Sequence, residues 1–307
     1  MDMIKIFCPA TVSNLSCGFD VLGLALEQVG DEMIIRKSSG NQLTIKQTEG
    51  PAVPLDPTQN VAGVSARSLL DHLGIQDGFE IEIAKGIKPG SGIGSSAASA
   101  VGAVWGINQL LGEPLTTVEL LPHAMTGEEV ASKAWHADNV APCLLGGFVL
   151  IRSYDPLDVI QLAFPNDLAL AIMHPLIEIK TAESRALIED NIPLKSAVAQ
   201  WGNLGGLISG LASGDHGLIS RSLEDHIVEP KRKHTIPGFD DMKTAALESG
   251  ALGFGISGSG PAVYALCKGL NTAEVVGNNM ANSFKPHGIS FDLHCSRIHS
   301  EGVRVIP

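Results

Sequence analysis

The sequence predicts an α+β fold in two halves, and three features predict it. The first half mixes strand segments of two-residue period with apolar, helix-like runs. The second half follows the order strand, helices, strand, strand, helix, strand, a ferredoxin-like order with extra helices inserted. Between them, Phe164-Pro165-Asn166-Asp167 has the composition of a turn, which sets the expected domains at 1–165 and 166–307. No internal repeat or low-complexity tract interrupts either half.

In chain order, residues 4–10, 32–37 and 42–47 read as strands, and 61–73 as a helix. Phe79-Glu80-Ile81-Glu82-Ile83-Ala84 alternates as a half-buried strand, and 95–111, rich in Ala, Val, Ile and Leu, reads as a buried helix. Residues 115–134 are expected to be helical, with Pro122 starting or interrupting the helix. Strands follow over 146–153, 159–164 and 168–174, then helical segments to Gly250. A hairpin of 251–256 and 262–267 surrounds the loop 257–261, before a helix over 272–284 and a last strand over 289–295.

The strand 79–84 runs into Pro89-Gly90-Ser91-Gly92-Ile93-Gly94-Ser95-Ser96-Ala97-Ala98-Ser99, and this loop is the most informative stretch. Glycines let a backbone approach a ligand closely, and the first turn of the following helix offers unpaired N–H groups and a positive dipole end. Such a place binds phosphate. Ser95 and Ser96 add hydroxyls suited to a magnesium ion that bridges phosphates. No G-x-x-x-x-G-K-[ST] P-loop occurs. Gly92-x-Gly94-x-x-Ala97 fits a dinucleotide fingerprint, but that fold needs a second strand ending in an acidic residue. Glu113, at the right distance, sits in the turn Gly112-Glu113-Pro114.

Composition narrows the function. A formal charge of −12 argues against nucleic-acid and anionic-membrane partners, so an anionic ligand must be held by local amides, a metal and a few placed arginines. The first residues run directly into a strand-like segment, and no apolar run has membrane-spanning length. Cys8, Cys17, Cys143, Cys267 and Cys295 show neither metal spacing nor a disulfide framework. Together these features predict a reduced cytoplasmic protein.

Four further groups could carry chemistry. Asn14 and Asp20 lie in the glycine-containing loop Val12-Ser13-Asn14-Leu15-Ser16-Cys17-Gly18-Phe19-Asp20; they either serve turn formation or hold a small polar substrate, with Asp20 facing an ammonium or hydroxyl. Glu128 precedes His136, Asp138 and Asn139; with no H-x-x-x-H it suits one oxygen ligand to magnesium better than a zinc site. Thr181 and Arg185, four apart, share a helix face, and Arg232 within Lys231-Arg232-Lys233 can clamp a carboxylate bidentately. The second glycine–serine loop, Gly255-Ile256-Ser257-Gly258-Ser259-Gly260-Pro261, is expected to close over the first. No G-x-S-x-G elbow supports a hydrolase.

Taken together, these motifs resemble the GHMP kinases, which phosphorylate small-molecule hydroxyls. P-G-S-G-I-G-S-S-A-A-S is similar to their nucleotide-binding motif, S-N-L-S-C-G-F-D-V-L-G-L-A-L to their N-terminal motif and G-I-S-G-S-G-P-A to their C-terminal glycine motif. Asn14 with Asp20, His136-Ala137-Asp138-Asn139-Val140-Ala141-Pro142, Lys180-Thr181-Ala182-Glu183-Ser184-Arg185 and Glu229-Pro230-Lys231-Arg232 are most similar to the branch that acts on L-homoserine. The resemblance implies an S5-like first domain, a ferredoxin-like second domain and a homodimer. It implies transfer of the ATP γ-phosphoryl group to homoserine, giving O-phospho-L-homoserine on the route to threonine. Asn14, Asp20, His136, Asn139, Thr181, Arg185 and Arg232 would surround the amino acid, Asn60 would lie near the adenine, and Gly258 and Ser259 would join the nucleotide loop. Ser96, or Ser95, and Glu128 would hold Mg2+. Other family members use an aspartate as base, for which Asp138 is the nearest candidate, whereas this branch resembles enzymes that pass the hydroxyl proton to the phosphate. Ser16-Cys17 stands where a Gly-Pro pair is common, and Leu187-Ile188 lacks a proline often found after the arginine. A mevalonate- or sugar-type kinase, a non-catalytic ATP-binding regulator and a nicotinamide oxidoreductase are the competing readings.

Overall fold

The alternating segments pair into two sheets in the computed structural model, which describes residues 2–132, 135–189 and 191–307. The first half contains β1 (Met3–Ser13), β2 (Leu22–Ser38), β3 (Leu43–Glu49), α1 (Val61–Leu73), β4 (Gly78–Ala84), α2 (Ser95–Leu110), α3 (Leu121–Ser132), α4 (Val140–Leu145), β5 (Phe148–Tyr154) and β6 (Leu157–Leu162). The second contains β7 (Leu168–Pro175), α5 (Thr181–Ala186), α6 (Leu194–Ser213), α7 (His216–Ser222), α8 (Glu229–Arg232), α9 (Phe239–Glu248), β8 (Ala251–Ile256), β9 (Val263–Lys268), α10 (Leu270–Phe284), β10 (Phe291–Arg297) and β11 (Arg304–Val305).

The first sheet has the order β11-β1-β2-β4-β3, with β5 on β2 and β6 on β5. Period-two patterning decides its faces: Phe79, Ile81 and Ile83 are buried, while Glu80 and Glu82 meet Arg36 on the other side. The second sheet is antiparallel with the order β10-β7-β9-β8, the ferredoxin-like arrangement. One of its faces packs Phe254, Val263 and Ala265 against Phe239, Met242, Met280 and Phe284. Leu168, Leu170, Ile172, Tyr264 and Leu266 point the other way and join the core of the first sheet. Burial on both faces explains why β7 is apolar along almost its whole length.

Several elements differ from expectation. The segment 32–37 is part of a longer strand, β2, which begins at Leu22, pairs β1 on both sides of an irregularity and exchanges β5 for β4 as its other neighbour. β1 runs three residues past Ala10, to Ser13. The helix over 115–134 divides at Pro122: a 3-10 turn Val118–Leu120 leads into α3, and Lys133 and Ala134 lie outside the described residues. β10 lies two residues later than 289–295. The chain also returns to the first sheet, where β11 pairs β1 through Ile6–Val305 and Phe7–Arg304. Residues after 165 are therefore not confined to the second sheet.

Between the sheets, the Ser16 hydroxyl lies 2.8 Å from the hydroxyl of the fully buried Tyr264. Ser16 thus makes a contact across the two halves that a proline pair could not. Tyr264→Phe removes it, and we expect a loss of about 1 kcal/mol in urea-induced unfolding with an unchanged circular dichroism spectrum. An unchanged midpoint would mean that this hydroxyl pair gives no net stability.

Candidate active site

β4 ends at Ala84, and the next residue, Lys85, sits almost fully buried against Asp31 of β2. Lys85 Nζ pairs with the Asp31 carboxylate and donates to the Ser95 carbonyl (2.8 Å) and Ser99 Oγ (3.1 Å). Asp31 Oδ1 also accepts the amides of Gly86 and Ile87, each at 3.0 Å. Burial pushes the Asp31 carboxyl up, while Lys85 and the two amides act in the opposite direction. One ion pair therefore fixes both the entry of the glycine–serine loop and the first turn of α2.

The loop then turns through Gly90, Gly92 and Gly94, all with positive φ. At Gly92 (φ +85°), a Cβ would lie 2.8 Å from the carbonyl oxygens of Ser257 and Gly260, so a side chain would force the second loop away. The two loops do meet: Ser257 Oγ donates to the Gly92 carbonyl (2.7 Å) and the Ala262 amide to the Ser91 carbonyl (3.1 Å). Beneath them is a cavity of about 680 Å³, within the range of small-molecule sites.

From the glycine–serine loop and its neighbours, the cavity is lined by Pro89, Gly90, Ser91, Gly92, Gly94, Ser95, Ser96, Ser99, Glu128 and Asn60. Asn60 caps α1, accepting the Ala62 amide at 2.9 Å, and donates to the Pro54 carbonyl at 2.6 Å. Ile93, Ala97 and Ala98 do not line the cavity: their side chains turn into the core. Ile93 contributes instead through its carbonyl, which accepts the Thr11 amide at 3.1 Å. The serines also separate. Ser95 Oγ donates to the Ile87 carbonyl (2.9 Å), whereas Ser96 donates to Glu128. Burial pushes the Glu128 carboxyl up to about 7.

The same cavity is lined by Asn14, Asp20, His136, Asp138, Asn139, Thr181, Arg185 and Arg232, and by Gly258 and Ser259. Asn14, Leu15 and Ser16 are successively left-handed (φ 72°, 43° and 58°), and Asp20 is left-handed too (φ 61°). Such backbone is uncommon for a bulky residue like Leu15 and collects at functional sites. It is held by Asn14 Oδ1, which accepts the Asp20 amide (3.0 Å), and by Asn14 Nδ2, which donates to the Gly258 carbonyl (2.8 Å). Arg185 meets Asp20 with both guanidinium ends, at 2.7 and 3.2 Å. His136 Nδ1 is 3.9 Å from Asp20. α5 carries Thr181 and Arg185 on one side, with Thr181 Oγ1 3.4 Å from Ser259 Oγ.

Asn139 is tied to β1, since Thr11 Oγ1 donates to its Oδ1 (2.7 Å) and its Nδ2 donates to Ser13 Oγ (3.0 Å). Burial, and then the charge of Asp20, push the Asp138 carboxyl up. Arg232 is nearly buried, and desolvation pushes it down to about 10, which still leaves it charged at neutral pH. Both guanidiniums lie over the Phe19 ring, that of Arg185 5.4 Å and that of Arg232 5.2 Å from its centroid. Lys85, Asp31, Phe19 and Ser13 escaped the sequence reading. The signals available were a lysine closing an otherwise apolar strand end and an aspartate beside Gly30 inside a strand.

Two profiles of one family match the chain. GHMP kinases N terminal domain covers residues 60–147, and GHMP kinases C terminal covers 207–286. The chain belongs to the GHMP kinase family. Relatives named homoserine kinase include that of Chloroherpeton thalassium, 43% identical with both chains covered in full, and that of Pyrococcus abyssi, 36% identical over 93% of this chain and 94% of the other. A crystal structure of homoserine kinase from Cytophaga hutchinsonii superposes with a TM-score of 0.95 at 49% identity, covering 100% of this chain and 98% of that one. Within the GHMP kinases, the chain therefore falls with the homoserine kinases. An L. major mevalonate kinase complexed with R-mevalonate has a TM-score of 0.74 at 18% identity, covers 96% of each chain and shares the fold.

The loop depends on its buried ion pair, so Asp31→Ala leaves the Lys85 charge uncompensated. We expect a loss of about 3 kcal/mol or more in urea unfolding. A loss within about 0.5 kcal/mol, the range of ordinary surface substitutions, would show that the loop is held by other contacts.

Proposed function

We propose that the protein transfers the γ-phosphoryl group of ATP to the side-chain hydroxyl of L-homoserine, releasing ADP and O-phospho-L-homoserine on the route to threonine. One observation carries this reading: a phosphate-type loop and an Asp–Arg–Arg constellation suited to an amino acid open into one cavity. The full-length similarity to homoserine kinases supports the same substrate.

In this reading Asn60 flanks the adenine, and the amides of 89–99 with Gly258 and Ser259 cradle the phosphates. Ser96 and Glu128 form a hydroxyl–carboxylate pair at the start of α2, a donor set that fits Mg2+, which takes one or two carboxylates and leaves its other positions to water and phosphate. Bound there, the ion would neutralise charge on the phosphates. Asn14 and Asp20 hold the ammonium group, Arg185 and Arg232 the carboxylate with Thr181 beside them, and His136 and Asn139 complete the wall. Arg185 must then release Asp20 as the zwitterion enters.

Phosphoryl transfer depends mainly on positioning and charge neutralisation. The hydroxyl proton leaves towards the phosphate, and Asp138 orients the hydroxyl without taking its proton. Homodimer formation and a cytoplasmic location belong to the same proposal, with no nucleic-acid or membrane partner. Among the described residues, no helix is long and apolar enough to cross a membrane.

A coupled ADP-release assay tests the substrate, using Mg·ATP with L-homoserine, L-threonine, L-serine, mevalonate and galactose. We expect turnover confined largely to homoserine and lost without Mg2+. Turnover on mevalonate or a sugar would discard the substrate, and ATP binding without any turnover would favour a regulator. Asp138→Asn tests the proton path: measurable turnover with a near-normal pH profile is expected, and near-total loss in a folded variant would make Asp138 the base.

A further inference from the structure

The Asp225 carboxylate gathers four hydrogen-bond donors. Its Oδ1 accepts the amides of Ile227 and Val228, each at 2.9 Å, and Gln200 Nε2 at 3.0 Å; its Oδ2 accepts the Glu229 amide at 2.9 Å. Gln200 projects from α6, and its Oε1 accepts the His226 amide at 2.9 Å. Both side chains are largely buried.

What they hold is α8, a single turn too short to persist alone. The leading amides of a helix have no partner within it, and Pro230 has none to offer. Asp225 supplies acceptors for the amides of Val228 and Glu229, and Lys231 and Arg232 then bond back to the Val228 carbonyl (3.0 and 3.1 Å). Arg232 ends this turn. Its Nε donates to the Ser184 carbonyl and its Nη1 to the Gly258 carbonyl, both at 3.1 Å. Nη2 has no protein partner among the described residues, and the residue lines the cavity.

We propose that Asp225, braced by Gln200, is a positioning residue that sets the α8 turn and so aims Arg232 at the carboxylate of the amino-acid substrate. The inference rests on the reading of Arg232 as a carboxylate clamp. It predicts an effect that falls mainly on the amino acid, because the 89–99 loop is fixed separately through Asp31 and Lys85 and Arg232 reaches the second loop only at the Gly258 carbonyl. The negative charge of Asp225 also favours the charged form of Arg232.

Steady-state kinetics of the full chain tests the proposal. Asp225→Asn keeps the shape but replaces an accepting oxygen with a donor. We expect KM for homoserine to rise about tenfold, with kcat and KM for ATP unchanged within about twofold. Gln200→Ala should show the same split more weakly. On an Arg232→Lys background, Asp225→Asn should add less than about twofold, because its effect passes through the guanidinium. An equal rise in both KM values, a loss of kcat alone, or a full tenfold effect on that background would overturn the positioning role. If Asp225→Asn does not fold, the split in Gln200→Ala decides. Arg232→Lys by itself separates the two ideas. If it leaves KM for homoserine unchanged, the clamp reading falls; if it raises KM while Asp225→Asn does not, only the positioning role falls.

Discussion

The buried pair of Asp31 and Lys85 is the constraint on which the glycine–serine loop at the cavity depends. A glycine-rich loop has little to hold it in one conformation, because its residues bring few side chains and much backbone freedom. Here a single carboxylate holds the loop entry through two amides, and a single ammonium holds the helix start through a carbonyl and a hydroxyl. Removing charges from water is expensive, so the pair is worth keeping only because almost every lone pair and proton finds a partner. It makes the geometry of the loop a property of the strands below it.

The second glycine–serine loop completes the arrangement from the other half. Ser257 and Ala262 bond to the backbone at Gly92 and Ser91, and the first of these bonds joins residues 165 apart in sequence. The Asp–Arg–Arg group is assembled in the same way. Asp20 comes from a left-handed loop after β1, Arg185 from α5 and Arg232 from α8, with both guanidiniums over the Phe19 ring. Neither half contains a whole site.

How much of this was legible follows from how local each feature is. The 89–99 loop was readable because strand, glycines and helix start are consecutive, and the ferredoxin-like order was readable from the succession of elements. Asp31 and Lys85 are 54 residues apart, and neither neighbourhood announces the other. Ser95 and Ser96 could not be told apart in sequence; burial directed one hydroxyl to Ile87 and left the other with Glu128. Ile93, Ala97 and Ala98 belonged to the motif as letters, but their side chains serve the core. The continuous β2 was hidden because residues 27–32 look like a loop, and within them β1 pairs only with 30–32 and β4 only with Glu32.

The return of β11 to the first sheet has a mechanical consequence. The polypeptide crosses between the two sheets twice, through residues 163–167 and again after Arg297. Both crossings touch Gly147: its amide donates to the His299 carbonyl at 2.6 Å, and the Phe164 ring lies about 3.0 Å from where its Cβ would be. A body tethered at one point swivels in any direction, whereas one tethered by two neighbouring crossings has fewer ways to move. Two adjacent crossings therefore restrict relative displacement of the halves more than one would, and the core that β7 and β9 share with the first sheet adds to that restraint.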